Sequence, residues 1–302
     1  MSEDTKVIDE VVVVGYGAVS KKNLTTAIAQ VKPEKIPQAA ASNINQLLMG
    51  RAAGLQAIVN STQPDGKVNI SIRGGENPIY VVDGIVMPSE AISTNGGETG
   101  LPSNVNRGGL AGLNPSDIES VEILKDASAA IYGIGAANGV ILITTKKGKE
   151  GAPSISYEGS YSFVRNYPYL DALTSQEYME LANVFNKENY LYNKKQYPYG
   201  PDEYDGKWSP LFSETDRLNP RNTNWKDYVL KSGYITKHNL TISGGTSKVR
   251  YYLGGSYLDQ EGTVLNSGMT KYTFRGNIGV ELFPFLNLTS AFNANQNIYS
   301  NC

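Results

Sequence analysis

The chain has 302 residues, 27 of them basic and 29 acidic, and its formal net charge of -2 argues against the positive surface that nucleic-acid binding needs. A single histidine, His238, and a single cysteine, Cys302, argue against a zinc cluster, a histidine-based triad and an internal disulfide, so no catalytic residue, cofactor or metal is expected. Twenty tyrosines and 31 glycines against 7 phenylalanines favour β structure near an interface over a helical bundle.

The first residues, MSEDTK, carry neither a basic nor an apolar signal region, and no run approaches the roughly 18 apolar residues of a membrane-spanning helix. As written, the chain is expected neither to be exported by a leader of its own nor to cross a membrane as a helix. The stretch DEVVVVGYGAVSKK, Asp9 to Lys22, supports two readings. In one, Val11–Val14 opens a dinucleotide fold, with Gly15 and Gly17 in the phosphate turn and Glu34 on the ribose. Ser20 in place of a third glycine, and Pro33 and Pro37 around Glu34, argue against that reading. In the other, the β-branched, proline-free run adds a strand to another protein's sheet edge, and Gly15 and Gly17 permit a sharp exit. Pattern alone leaves open a third use, as the first strand of the following domain's own sheet.

VKPEKIPQAAAS reads as a linker, and NINQLLMGRAAG as a short helix capped by Ser42 or Asn43 and stopped by Gly50 or Gly54. LQAIV, KVNISIRG, PIYVVDGIV, SVEILKD and GVILITTKKG follow as short strands. SAAIYGIGAANG, between the last two, reads as a short helix and a glycine-rich turn. Together these make a compact α+β unit.

After Gly151 the pattern changes. In SISYEGSYSFV, Ile155, Tyr157, Gly159, Tyr161 and Phe163 share one face, and Ser154, Ser156, Glu158, Ser160 and Ser162 the other. KYTFRGNIGVEL repeats this, with Tyr272, Phe274, Ile278, Val280 and Leu282 against Lys271, Thr273, Arg275, Asn277 and Glu281. HNLTISGG, VRYYLGGSYLD and LNLTSAFNAN keep the same phase. Such period-2 segments fit a soluble sandwich with its core on the apolar face, or a membrane barrel with lipid there and water in the lumen. The small polar face and the tyrosine-rich apolar face favour the membrane.

Residues 165–233 interrupt the series. TSQEYMELANVFNKENYLY reads as a helix capped at Thr174 or Ser175 with Glu177 near the third position. NKKQYPYGPDEYDGKWSPLF, too polar for a core and too long for a hairpin, fits an external loop. Its Asp202, Glu203 and Asp205 lack the fixed geometry of catalytic carboxylates and the spacing of a calcium site.

Several motifs together resemble the SusC/RagA-type TonB-dependent outer-membrane transporters. They are DEVVVVGYG, GRAAGLQ, ISIRGGENPIYVVDGI, LNPSDIESVEILKDASAAIYGIGAANGVILITTKKGK, LTSQEYMEL, YYLGGSYLDQEGTV and KYTFRGNIGVEL. The resemblance implies an α+β plug domain followed by antiparallel strands of an incomplete transmembrane β-barrel. It divides the chain into a TonB-contacting segment at 1–30, a plug at 31–149 and the first barrel strands at 150–302. About five strands against the family's 22 imply a piece of a longer protein, here without a signal peptide. The implied function is energised import of oligosaccharides or peptides across the outer membrane, with no enzymatic step. The implied partners are TonB and a SusD-type surface lipoprotein. Glu10, Val11, Val12, Val13, Val14, Gly15, Tyr16 and Gly17 fall on the TonB-contacting segment. Arg73, Gly74, Asp83, Gly84, Glu122, Lys125, Asp126, Tyr132 and Gly133 fall on plug motifs, and the charged ones are expected to hold the plug to itself and to the barrel wall. The family's Y-G-x-R turn has Gly135 at its last position here, which removes one such ion pair. Tyr197, Tyr199 and Trp208, with Tyr192 and Trp225 near them, offer flat faces to substrate or to the lipoprotein lid. The reading from another class is a soluble plug-like binding or signalling module.

Overall fold

The computed structural model describes residues 11–14, 17–20, 28–33, 43–59, 63–66, 68–87, 109–125, 129, 132–166 and 172–300. Of the expected site residues, Glu10, Gly15, Tyr16 and Asp126 lie outside these, as do Glu34, Pro37 and Ser42. The chain divides into one unit of Met1–Val164 with Ser232–Cys302 and a second unit of Arg165–Lys231.

The first described element is a pair of short strands. Strand β1 (Val11–Val14) pairs antiparallel with β2 (Gly17–Ser20) in a two-stranded sheet of its own. A dinucleotide fold would need a helix after the glycines; a strand stands there instead. The run is also not the first strand of the next domain's sheet. That place belongs to β3 (Ile28–Val31), whose last residue opens the segment expected to be a linker.

The plug region packs around a five-stranded sheet in the order β3, β9 (Ile118–Leu124), β10 (Val140–Thr145), β7 (Ile79–Val82) and β8 (Ile85–Met87). Only the β10–β7 pair among these is parallel. A sheet covered on both sides needs apolar residues in unbroken runs, which VILITT provides. Ile141 and Ile143 enter one core with Val121, Ile123, Ile44 and Leu48; Val140 and Leu142 enter the other with Val81, Leu124 and Ala136. Helix α1 (Ile44–Leu47), capped by the Asn43 side chain on the Gln46 N–H, closes the first core with β4 (Leu55–Val59) and β5 (Val68–Ile72). Strand β6 (Gly75–Glu76) extends the small β4–β5 sheet. One expectation is corrected here. PIYVVDGIV is two strands rather than one, because Asp83 (φ 48°) and Gly84 (φ 89°) make a left-handed hairpin turn, the Asp-Gly signature. In SAAIYGIGAANG the glycine-rich part holds a 3-10 turn, Ile134–Asn138, while Ser128, Ala130 and Ile131 of the expected short helix lie outside the described residues.

Five long antiparallel strands follow in a simple meander: β11 (Gly151–Val164), β12 (Gly233–Gly245), β13 (Val249–Glu261), β14 (Gly268–Phe283) and β15 (Leu286–Ser300). Their two faces differ in kind. On β14, Met269, Lys271, Thr273, Arg275 and Asn277 are only 2–6% exposed, whereas Tyr272, Phe274, Ile278 and Leu282 are 37–52% exposed on the other side. A soluble sandwich would bury the second set. From Tyr272 to Leu282 the strand climbs about 33 Å, which a tilt of roughly 40° turns into a band about 25 Å tall, the hydrocarbon height of an outer-membrane barrel. Aromatic rings mark both limits. His238, Tyr257 and Tyr272 form one row with centroids 6.2 and 5.2 Å apart, and Phe283 stacks on Phe285 at 5.5 Å at the other end. The sheet is thus the start of a transmembrane barrel wall. Among the described residues no helix is long and apolar enough to cross a membrane.

The second unit is helical. Helix α2 (Ser175–Asn193) begins at a full capping box of Thr174 and Glu177. The Asn183 amide, which donates to the Phe212 carbonyl and accepts from its N–H at 2.8 and 2.9 Å, ties α2 to the segment before α3 (Glu214–Leu218). Helix α4 (Trp225–Val229) completes the unit.

Candidate functional site

A plug that occupies a water-lined barrel must be held by contacts that water can replace. The inward face of β12–β15 holds the plug region by such groups, and they converge from distant parts of the sequence.

The first node is built on the Asp83–Gly84 turn. Its carboxylate accepts from the Thr145 N–H (3.0 Å) and the Thr145 hydroxyl (2.6 Å), which joins the β7–β8 turn to the end of β10. Arg275 on β14 then donates to Asp83 Oδ2 at 2.8 Å and to Thr145 Oγ1 at 2.6 Å. The Arg275 side chain is 6% exposed and that of Asp83 20%, so this charge pair is largely out of water. Buried, charge-assisted bonds of this kind are the strong ones.

The second node surrounds Asp117, in the 3-10 turn Pro115–Asp117. Tyr252 on β13 donates its hydroxyl to Asp117 Oδ1 at 2.7 Å. Gly254 makes room: a Cβ built there would lie 2.8 Å from the same oxygen. Burial pushes the Asp117 carboxyl up, against the Tyr252 hydrogen bond and the charges of Arg275 and Lys146. At the cap of the same turn, Asn114 donates to Asn239 Oδ1 (2.8 Å), and Asn239 donates to Ser116 Oγ (3.0 Å).

The third node surrounds Asp65, which is fully buried. Asn43 donates to its Oδ1 at 3.1 Å and Tyr299 on β15 to its Oδ2 at 3.2 Å. Burial raises its pKa, opposed by the charge of Lys271 and by these two hydrogen bonds. Asn293, also on β15, donates to the Gly112 carbonyl at 3.3 Å.

Of the expected plug residues that the structure describes, Asp83 meets the wall, through Arg275. Glu122 lies inside the plug sheet, 1% exposed, and accepts from Gln30 at 3.1 Å, which ties β3 to β9. Burial raises its pKa, against hydrogen bonds from Ser120 and Gln30. Such a carboxyl adds stability that is complete below the ordinary carboxylate pKa and lost as pH rises through its raised value. Glu122→Gln is therefore expected to flatten that acid-side gain and to stabilise the plug at neutral pH, as read by denaturant titration at several pH values. Lys125 donates to the Ala53 carbonyl. Arg73 and Gly74 form the exposed turn between β5 and β6, both with positive φ, and the Arg73 N–H donates to the Gly54 carbonyl at 2.8 Å. Tyr132 packs half-buried on the second core, and Gly133 (φ 88°) opens the 3-10 turn.

In the helical unit, Trp208 donates to Asn186 Oδ1 at 2.8 Å, with Lys187 5.7 Å over its ring. Tyr199 bonds the Glu188 carboxylate and meets Tyr192 edge-on at 5.8 Å. Tyr197 is 76% exposed. Two of the three rings are thus held by their own unit.

Sequence reasoning missed Asp65, Asp117 and Thr145 on the plug side and Tyr252 and Tyr299 on the wall. A usable signal existed for the wall: Arg275 and Lys271 are charged residues in mid-strand on the inward parity, and Tyr252 and Tyr299 are large residues on the same parity.

Comparisons with known proteins agree with this geometry. Residues 20–140 match the family model TonB-dependent Receptor Plug Domain. The TonB-dependent receptor SusC of Bacteroides thetaiotaomicron is 34% identical over 99% of this chain, and TonB-dependent receptor P3 of Formosa agariphila is 31% identical over 98%. Among solved structures, the RagAB peptide importer in its "closed-closed" state is 25% identical with a TM-score of 0.67 over 92% of this chain. The chain spans 28% and 25% of the two curated relatives and 31% of the RagAB chain.

Proposed function

Because this chain belongs to the SusC/RagA-type TonB-dependent receptors, we propose that it forms the plug and the first wall strands of an energised importer in the outer membrane. The observation that carries this reading is the two-faced sheet, apolar outward and polar inward, whose inward Arg275 grips Asp83 of the plug. A lumen contact made of hydrogen bonds and one ion pair can be broken and remade with water as the substitute partner, whereas an apolar seal cannot.

The cargo in this proposal is a nutrient oligomer, an oligosaccharide or a peptide. RagAB is a peptide importer, and its likeness to this chain supports the peptide side of that choice. The connections alternate in length, with residues 246–248 and 284–285 at one end of the sheet and 165–232 and 262–267 at the other. Outer-membrane barrels keep short turns on the periplasmic side, so this alternation supports an external position for the helical unit. There Tyr197, Tyr199 and Trp208 contact substrate or a SusD-type lipoprotein. Val11–Val14 is the docking strand for TonB, with Glu10 and the glycines beside it, and main-chain hydrogen bonds carry the pull.

The test is uptake by cells that express the intact receptor. Val13→Pro removes a main-chain donor from the docking strand and is expected to abolish uptake while the receptor still reaches the outer membrane at its normal level. Uptake that survives this substitution would remove the docking assignment.

A further inference from the structure

Resting on the TonB-docking proposal above, we infer that the docking element is the whole β1–β2 hairpin, with Gly17–Ser20 as a backing strand and the partner adding a third strand to the open edge of Val11–Val14.

The placement of the strands carries the argument. Val11, Val12, Val13 and Val14 face Ser20, Val19, Ala18 and Gly17 in continuous antiparallel register. Among the described residues the two strands form a sheet by themselves, so each is paired along one edge and meets no described strand along the other. In an antiparallel pair, alternate residues direct their N–H and C=O groups to the neighbour and away from it. Half of the peptide groups of β1 are therefore satisfied by β2, and the other half remain for an incoming strand. A four-residue strand alone would have to be ordered at the moment of binding; one already paired is ordered in advance, which strengthens association. A two-stranded hairpin is itself marginal in water, and a third strand consolidates it. The occupant is a β-strand from a protein with a free sheet edge, as strand addition requires. The hairpin is also separate from the plug sheet, whose first strand begins only at Ile28, so a partner can seize it without disturbing the sheet.

The experiment uses the intact receptor, in a background without other cysteines, and the soluble carboxy-terminal domain of TonB as probe. Val13→Cys with Ala18→Cys, and separately Val12→Cys with Val19→Cys, lock the hairpin on oxidation. Binding within about twofold of the reduced form is expected for at least one locked pair. A loss of tenfold or more in both, restored by reductant, would mean that the hairpin must open and would overturn the inference. Val19→Pro leaves β1 intact and is expected to weaken binding about tenfold through the backing strand. If Val13→Pro weakens binding and Val19→Pro does not, the hairpin inference alone falls. If neither proline changes binding, the docking assignment falls with it.

Discussion

Replacing Arg275 by leucine in the intact receptor is expected to loosen the plug by about 3 kcal/mol, the usual cost of removing one partner from a buried charge pair. The guanidinium is 6% exposed and bonds both Asp83 and Thr145. Without it the Asp83 carboxylate, only 20% exposed, loses its countercharge and keeps Thr145 as its partner. Since each 1.4 kcal/mol is tenfold, the released plug becomes roughly a hundredfold more populated. Protease cleavage within the plug, under conditions where opening is at equilibrium, reads that population directly. The double variant Asp83→Asn with Arg275→Leu removes the stranded charge and is expected to recover a substantial part of the loss. Equal cleavage of wild type and Arg275→Leu would show that the plug is held elsewhere.

The second large effect concerns the opposite face of the same strand. Ile278 points outward, about midway along the apolar band between Tyr272 and Leu282. Ile278→Arg is expected to destabilise the barrel by about 2–4 kcal/mol in a bilayer, and Tyr272→Arg or Leu282→Arg at the band's limits by about 0–1 kcal/mol. Unfolding titrations of the intact barrel in lipid vesicles give this profile. A flat response along the strand would mean that the face does not meet hydrocarbon. Arg275, three residues from Ile278 and on the inward parity, already carries the charge that its neighbour row excludes.

Much of this organisation was legible in the sequence, and what was missed has physical causes. The wall strands were readable because each residue in a two-faced strand reports its side, and five segments reported consistently. The plug strands were readable as apolar runs. PIYVVDGIV concealed its turn because Asp-Gly lies within an otherwise unbroken apolar run, so the backbone requirement at two residues had to outweigh the pattern of seven. β3 was lost because IAQV is short and lies beside Pro33; only its pairing with β9 reveals it. The wall contacts were half legible. Polarity placed Arg275 in the lumen, but its partner is 192 positions away, and nothing local to Asp83 names the residue it meets. Asp65 and Asp117 lie in turns, where an acidic residue is ordinary, so burial alone distinguishes them.

Thr145 is the last residue of the plug's central strand, and the first wall strand begins at Gly151. Six Cα-to-Cα steps join them, a leash of at most roughly 20 Å. The carboxy-terminal side of the plug is therefore moored to the wall by covalent chain, and the Arg275–Thr145–Asp83 cluster lies at that mooring rather than at a free end. Force delivered through the proposed docking strand would reach β3 first, at the edge of the sheet. The carboxy-terminal end of the domain would meanwhile stay within that leash of the wall, so its return path is set by covalent chain.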